Sequence, residues 1–387
     1  MSPTHPLAAV AGLACLAVAA GYSVVAVVAT LVWSLRRSRP APPDLPPVSV
    51  LKPLCGVEPG LYRYLRSYCL QDFPEFQLIF GVRDPLDPAL EVVARLVREF
   101  PALPIEVVVN PQLHGSNYKI SNLINMLARA RHQVLVMADS DTYVGPDYLR
   151  AVTAPLLDGR VGLVTCLYQD VPTPRLWSRL GAMYINEWYM PSVLVAWLFG
   201  HHGYVSGQSL SVRAPVLQGI GGLPAMANHL ADDYRFGELV RRQGLRVVLS
   251  RYLPRAGHEE PSYESLSRHE LRWMRTIRVL QPFAFKLMCL SFSLPLAVLG
   301  LALTILADPS LTRVAGALFC AALLARLALH LRGRRNGERS MFADLWLLPW
   351  RDLLILWVWL RSFRNSRVSW RGNEFDVGAD GVMRRLP

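Results

Sequence analysis

Residues Val134 to Tyr143 read VLVMADSDTY, and the fold class turns on how this stretch changes character half-way along. Val134, Leu135, Val136 and Met137 make a short apolar run, the length of a strand buried on both faces of a parallel sheet. Asp139, Ser140 and Asp141 follow directly after Ala138. Open α/β sheets bind ligands beyond the carboxyl ends of their strands, so a D-x-D there sets two carboxylates at the binding edge. Two hard oxygen donors so close suit Mg²⁺ or Mn²⁺ carrying a diphosphate. Taken alone, the triplet reads equally as a polar strand end entering a turn, so the surrounding residues carry the argument.

Strand and helix patterns alternate on both sides of this stretch. Val48 to Leu51, Gln77 to Val82 and Ile105 to Val109 read as strands. Pro59 to Cys69, Asp87 to Phe100 and Tyr118 to Arg131 read as helices, with Asp87 as a cap and Pro88 at a first helical position. Further on, Pro146 to Leu157 and Tyr234 to Gln243 read as helices, and Gly162 to Leu167 and Leu245 to Leu249 as strands. Gly203 to Val212 holds a turn and a short strand. Such alternation predicts a mostly parallel sheet with helices on both faces. Gly219-Ile220-Gly221-Gly222 reads as a tight turn, because the Lys-Ser/Thr ending of a phosphate loop is missing.

Composition adds a membrane part. The 387 residues carry a formal net charge of +12, and the mean hydropathy of +0.24 is high for a wholly globular chain. The basic excess gathers beside apolar segments, at Arg36-Arg37-Ser38-Arg39 and Arg332-Gly333-Arg334-Arg335. That is the pattern of cytoplasmic flanks and not of a nucleic-acid face, so no nucleic acid partner is expected. Cys15, Cys55, Cys69, Cys166, Cys289 and Cys320 are scattered with no C-x-x-C pair, which fits reduced thiols and argues against a zinc site. Leu7 to Trp33 is apolar and long enough to span a bilayer, and the positives follow it, as in an uncleaved anchor with its amino end outside.

The organisation expected is therefore an anchor over 1–39, a Pro-rich linker over 40–47, an α/β domain over 48–280, membrane or interfacial helices over 281–362 and a cytoplasmic tail over 363–387. Ser262 to Val279, with Arg268, Arg272, Arg275 and Arg278, reads as an interfacial helix. Leu176 to Phe199 is apolar but broken by Asn186, Glu187 and Pro191, and reads as helices on the membrane surface or lining an acceptor groove. Phe285 to Leu306 and Val314 to Leu331 are expected as second and third spans. Phe342 to Leu360 has Arg351-Asp352 in its middle, which favours an interfacial or re-entrant helix pair over a full span. The stretch after Trp370 is polar with glycine turns, as in a small hairpin.

Several short motifs, weak singly and specific together, resemble the ceramide glucosyltransferase family, membrane members of the inverting family 2/21 glycosyltransferases. They are Leu51-Lys52-Pro53-Leu54-Cys55-Gly56, Val82-Arg83-Asp84, the run Gly115 to Leu123 (GSNYKISNL), Asp139-Ser140-Asp141, Ala231-Asp232-Asp233-Tyr234 and His269-Glu270-Leu271-Arg272-Trp273. The resemblance runs from about Val48 to Leu280 and looks closest to bacterial hopanoid transferases that place N-acetylglucosamine on bacteriohopanetetrol. It implies an α/β GT-A glycosyltransferase domain plus transmembrane α-helices. It further implies a divalent cation (Mg²⁺ or Mn²⁺), a UDP-sugar donor and a membrane lipid acceptor, hopanoid or ceramide. The location implied is a bacterial inner (plasma) membrane, with the catalytic domain cytoplasmic.

The resemblance also distributes roles. Asp84 would meet the uracil or ribose, and Asp139 and Asp141 the metal and diphosphate. Asp233 would be the base for the acceptor hydroxyl with Asp232 tuning it, or the two would merely cap the following helix. Arg272 would stabilise the diphosphate and Trp273 would wall the acceptor. His269 departs from the Gln or Arg usual at the first position of that motif. Lys52 and Lys119 either touch phosphate or solvate loops, and Asn117 and Asn122 bind either backbone turns or substrate. A processive polysaccharide synthase would need more spans than this chain offers. A transporter does not explain the long α/β segment, and a dead lipid-binding scaffold does not explain why every acidic position is filled.

Overall fold

The computed structural model describes residues 5–36, 41–334, 342–370, 373–378 and 380–385; the basic flanks expected at 37–39 and 335–339 lie outside them. The chain divides into two compact units. One unit gathers Met1–Arg36, Pro174–Gly200 and Glu260–Gly372; the other gathers Arg37–Thr173, His201–Glu259 and Asn373–Pro387.

The second unit is built on a seven-stranded sheet. Its strands run, from edge to edge, Ile105–Val109, Phe76–Val82, Val48–Pro53, Val134–Ala138, Ser209–Arg213, Val161–Cys166 and Arg246–Ser250. All neighbours pair in parallel except Ser209–Arg213, which runs antiparallel to both of its partners. The mostly parallel sheet expected from the sequence is therefore present, with one reversed strand beside the D-x-D strand. Two apolar layers cover it. Val50, Leu78, Val136 and Val164 face one layer with Leu65, Tyr68 and Val93; Leu51, Ile79, Leu135 and Leu163 face the other with Ile120, Leu123 and Phe236. This alternation is the two-residue period of strands whose every position is buried.

Local boundaries shift where proline and cap chemistry dictate. The helix expected to reach Leu157 ends at Thr153, because Pro155 cannot continue it and a 3₁₀ turn, Ala154–Leu157, takes over. The helix begun by Asn117 runs Tyr118–Leu127 and not to Arg131. The helix expected from Asp87 starts at Ala89, with Pro88 and not Asp87 in the cap position and no capping side chain; Asp87 closes the turn before it, accepting from the Ala89 N–H at 2.9 Å, and also accepts from the Gly56 N–H.

In the first unit, Pro6–Leu35 and Pro309–Gly333 are long and apolar enough to cross a membrane. The expected span from Phe285 to Leu306 is broken: Pro282–Ser291 and Ser293–Ala307 meet at 65°. Phe292 leaves the helical region (φ −82°, ψ 71°), and Pro295 falls within the first turn of the second piece, where its missing N–H costs nothing. By length and composition there are thus two spanning helices, or three if the bent pair counts as one.

Leu176–Tyr184 and Met190–Leu198 are α-helical and joined by a π-helical turn, Ile185–Tyr189. The second of them packs along the first helix, with Trp33 edge-on to Trp197 at 5.0 Å and Tyr22 Oη 2.8 Å from Ser192 Oγ. The expected helix pair over 342–360 is instead one helix, Leu348–Ser362, after a 3₁₀ turn. Arg351 and Asp352 do not pair with one another. Arg351 makes a bidentate pair with Glu270 at 2.6 and 2.8 Å, while Asp352 takes Arg326, which also bonds Glu187 at 2.9 Å. Neighbours on a helix point apart, so each charge finds a different partner.

Arg351 and Glu270 are 2 % and 0 % exposed. Removing one of two such buried charges costs about 3–5 kcal/mol, whereas replacing both with apolar groups is close to neutral. R351L alone is expected to lower the unfolding temperature in detergent sharply, and R351L with E270L to recover most of the loss. A double variant as unstable as the single one would show that packing, and not the ion pair, holds these helices.

Candidate active site

The turn after Val134–Ala138 is fixed from beneath. The backbone carbonyl of Asp139 accepts from the ammonium of Lys52 and from Thr142 Oγ1 at 2.6 Å. Lys52 is fully buried, with its charge 3.7 Å from the centre of the Tyr68 ring. Burial presses its pKa down to about 7, against the pull of Asp141 and Asp139. A lysine read from sequence as touching phosphate or solvating a loop therefore reaches the D-x-D backbone.

On the side-chain side, Asp139 Oδ1 lies 2.5 Å from Lys119 Nζ. Burial and the neighbouring Asp141 raise the Asp139 pKa, against Lys119. Lys119 also donates to the Gly207 carbonyl at 3.1 Å. Although burial opposes it, the nearby Asp139 and Asp232 raise the Lys119 pKa, so it stays a cation. Asp141 Oδ2 is 3.3 Å from His258 Nε2, and His258 Nδ1 is 3.2 Å from Asp170 Oδ1. Burial would neutralise His258, but Asp170 and Asp141 lift its pKa well above the ordinary range. Burial likewise opposes the charge on Asp141, and the His258 contact outweighs it and lowers the pKa.

His258 and Asp170 were not singled out by the sequence reading. Asp170 ends the strand Gln169–Asp170 and His258 follows the strand Arg255–Ala256, and the small sheet these make with Thr142–Tyr143 brings them to Asp141. A lone histidine in Gly-His-Glu-Glu carries no spacing signal that would have found it.

The other carboxylate, Asp233, opens the helix Asp232–Arg242. Its Oδ2 accepts from the Gly207 N–H at 2.9 Å and its Oδ1 from the Tyr234 N–H at 2.7 Å. Burial and the adjacent Asp232 push its pKa up to about 6, against these bonds and Lys119. Asp232 Oδ1 accepts from Asn117 Nδ2 at 3.2 Å. Asn117 also caps its own helix by accepting from the Ile120 N–H. Lys119 and Gly207 thus join the D-x-D to Asp233 within one unit.

Asp84 is exposed, and its side chain accepts from the Leu86 N–H in a local turn. Asn122 is buried and donates to the Gly81 carbonyl at 2.8 Å, bracing a strand end. His269, Arg272 and Trp273 lie on Tyr263–Leu280, in the other unit. There His269 Nδ1 is 2.5 Å from Glu260 Oε1, and Trp273 stacks against Tyr184 and His269 at 5.6 and 6.0 Å.

Comparison with known proteins fits this arrangement. The profile described as "Glycosyl transferase family 21" matches residues 13–383, nearly the whole chain. The chain belongs to glycosyl transferase family 21. This family 21 glycosyltransferase is 23 % identical over 353 residues to Ceramide glucosyltransferase 1 of Caenorhabditis elegans, covering 88 % of the chain and 74 % of the relative. It is 30 % identical over 116 residues to the ceramide glucosyltransferase of Komagataella phaffii, covering 29 % of the chain and 23 % of the relative. Its fold is similar to that of the mannosyltransferase PcManGT from Pyrobaculum calidifontis, solved with GDP-Man and Mn²⁺, at a TM-score of 0.52 and 18 % identity, covering 92 % and 97 % of the two chains. The α/β GT-A domain with membrane helices, the ceramide glucosyltransferase-like resemblance and the glycosyltransferase class all stand.

Gly207 offers a local test of the site. A methyl group there would meet Lys119 Nζ at 3.1 Å and Asp233 Oδ2 at 3.6 Å. G207A is expected to part the lysine from the carboxylate and lower kcat on the order of tenfold to a hundredfold, since a misplacement of about 1 Å can cost about a hundredfold. Unchanged kcat with normal folding would show that this spacing does not matter.

Proposed function

We propose that this membrane glycosyltransferase moves one sugar, glucose or N-acetylglucosamine, from a UDP-sugar to the hydroxyl of a membrane lipid, with inversion. The observation that carries the reading is the pair of acidic sites joined by Lys119. One is a strand-end D-x-D, and the other is an aspartate whose carboxyl is pushed toward neutrality. Ceramide is the favoured acceptor, because the relatives above are ceramide glucosyltransferases. The hopanoid acceptor suggested by the motif resemblance finds no relative among them and becomes the second reading. A cytoplasmic face of a bacterial inner membrane remains the proposed location of the chemistry.

A divalent cation fits the residues present. Asp141 Oδ1 is buried with no hydrogen-bond partner among the described residues, which is what a metal-directed oxygen looks like without its ion. No cluster of three or more His, Cys, Asp or Glu suited to a metal occurs among the described residues, so the protein would supply two carboxylates and leave other positions to phosphate and water. Mg²⁺ is commonly held that way. Bound there, the cation would neutralise charge on the leaving diphosphate. Lys119 holds Asp139 in place, and His258 holds Asp141.

Asp233 would take the proton of the acceptor hydroxyl. With a pKa near 6 it is ionised at neutral pH yet more basic than an ordinary aspartate, as a general base requires. No second carboxylate is needed as a nucleophile, so the sugar would transfer in a single displacement.

Two measurements test the reading. Release of UDP from UDP-glucose or UDP-N-acetylglucosamine, with ceramide or bacteriohopanetetrol in detergent, should stop in EDTA and return with Mg²⁺ or Mn²⁺. Full turnover in chelator would remove the cation. The second concerns Asp233. Because the base must be ionised, kcat/KM should fall as pH drops through about 6 and stay level above it. D233N should lose about 10²–10⁴-fold in kcat with donor binding retained. Both oxygens of Asp233 accept backbone N–H groups, so an amide loses one bond, and the kinetics must be read beside the unfolding temperature. A well-folded D233N that keeps its kcat would rule Asp233 out as the base.

A further inference from the structure

Asn373–Pro387 belongs to the globular unit and reaches the loop that precedes Asp232. Asn373–Val377 and Met383–Arg385 form an antiparallel hairpin, with Val377 opposite Met383. Its turn is closed by Gly378 N–H on the Val382 carbonyl at 3.1 Å and Gly381 N–H on the Gly378 carbonyl at 2.8 Å. Gly381 has φ +77°, which a side chain would strain. Asp380 Oδ1 accepts from the Val382 N–H at 3.1 Å and completes the turn.

The outer edge of this hairpin holds the loop that precedes Asp232. Met383 N–H donates to the Asn228 carbonyl at 2.8 Å, and Leu230 N–H donates to the Gly381 carbonyl at 3.1 Å. His229 and Val382 pair antiparallel between them. The loop has no strand partner inside the main sheet, so these bonds are its ladder. Its other side holds the start of the Gly115–Leu123 motif. Asn117 N–H donates to the Ala227 carbonyl at 2.8 Å, and Asn117 Nδ2 to the His229 carbonyl at 3.0 Å. Asn228 Oδ1 accepts from the Ser116 N–H at 2.9 Å. Gly115 packs so close that a methyl group would lie 2.4 Å from the Ala227 carbonyl oxygen.

The loop is therefore clamped between the hairpin and Asn117, and the next residues in the chain are Asp232 and Asp233. Asn117 touches both the clamped loop and Asp232 Oδ1. We propose that the C-terminal hairpin is a positioning element for the reaction, setting the 228–230 loop and through it the Asp232–Asp233 carboxylates. The inference rests on the reading of Asp233 as the base, and deepens it. A carboxylate that must meet one hydroxyl proton within hydrogen-bond reach is sensitive to shifts of its helix start, while donor contacts at the D-x-D are not on this loop.

The test uses the full-length protein in detergent, UDP-glucose with a short-chain ceramide, and UDP release as readout. M383P removes the N–H that holds Asn228 together with the buried Met side chain, while M383L keeps the N–H and an apolar side chain of similar size. D380A removes the Val382 bond that completes the exposed turn and leaves the backbone bonds to the loop in place. M383P should lose at least about tenfold in kcat with the KM for UDP-glucose within about twofold. M383L should match the parent, and D380A should fall between. M383P keeping more than half of its kcat overturns the proposal. So does a loss shared by kcat, donor KM and unfolding temperature alike, since that is general destabilisation. If M383P does not fold, D380A decides, and parental kcat in D380A overturns the proposal. D233N run in parallel separates the two readings. An inactive D233N beside a fully active M383P sinks the hairpin alone, and an active D233N sinks the base.

Discussion

A buried ammonium on a backbone carbonyl underlies the globular unit's chemistry. Lys52 leaves the first sheet strand and places its charge on the carbonyl of Asp139, where Thr142 also bonds. That carbonyl belongs to the turn that must point two carboxylates away from the sheet. With two donors on its oxygen the peptide cannot rotate, and the side chains of Asp139 and Asp141 are aimed by it. The arrangement is costly, since a lysine without exposed surface gives up its hydration. The aromatic face of Tyr68 and the two aspartates offset part of that cost. Lys119 and His258 then act on the carboxylates themselves, one apiece. Two carboxylates, each with its own cationic partner, are thus held at one strand end above the buried Lys52.

Much of this was legible in the sequence, for reasons that can be named. The strand run Val134 to Met137 is apolar at every position, and a strand covered on both faces must be. The D-x-D stood out because it sits directly after that run, whereas Lys119 and Asp233 were reached only through the family motifs they belong to. What was hidden depended on contacts across the chain. Lys52 looks like any loop lysine until its carbonyl partner is seen. His258 and Asp170 meet Asp141 through strands of two residues, too short to leave a pattern. The break at Phe292 escaped a window average because apolar residues continue through it, although Pro295 marks where the second piece starts.

The membrane-associated unit shows the same limit. From sequence, Arg351-Asp352 looked like an ion pair in an apolar stretch, yet the two residues serve separate neighbours. Glu187 looked like an interruption in an apolar run. It sits on a π-helical turn and accepts from Arg326 and His330, both at 2.9 Å. The extra residue of that turn reorients the side chain toward a helix more than a hundred positions away, which no local period encodes. Charges that a hydropathy profile counts as defects are here the specific contacts between otherwise similar apolar helices.

The hairpin has a consequence for the life of the chain before it ever meets a substrate. A ribosome makes Asn228 and Leu230 long before Gly381 and Met383, and everything in the bent pair and in Pro309–Gly333 emerges in between. For that interval the loop ahead of Asp232 has its Asn117 contacts but lacks the strand that completes it. The globular unit is thus finished only by residues synthesised after those apolar helices. The setting of the helix start at Asp232 is ordered in time behind the synthesis of those helices, so a nascent chain stalled or cut within them would carry the D-x-D strand without the ladder that holds the 228–230 loop.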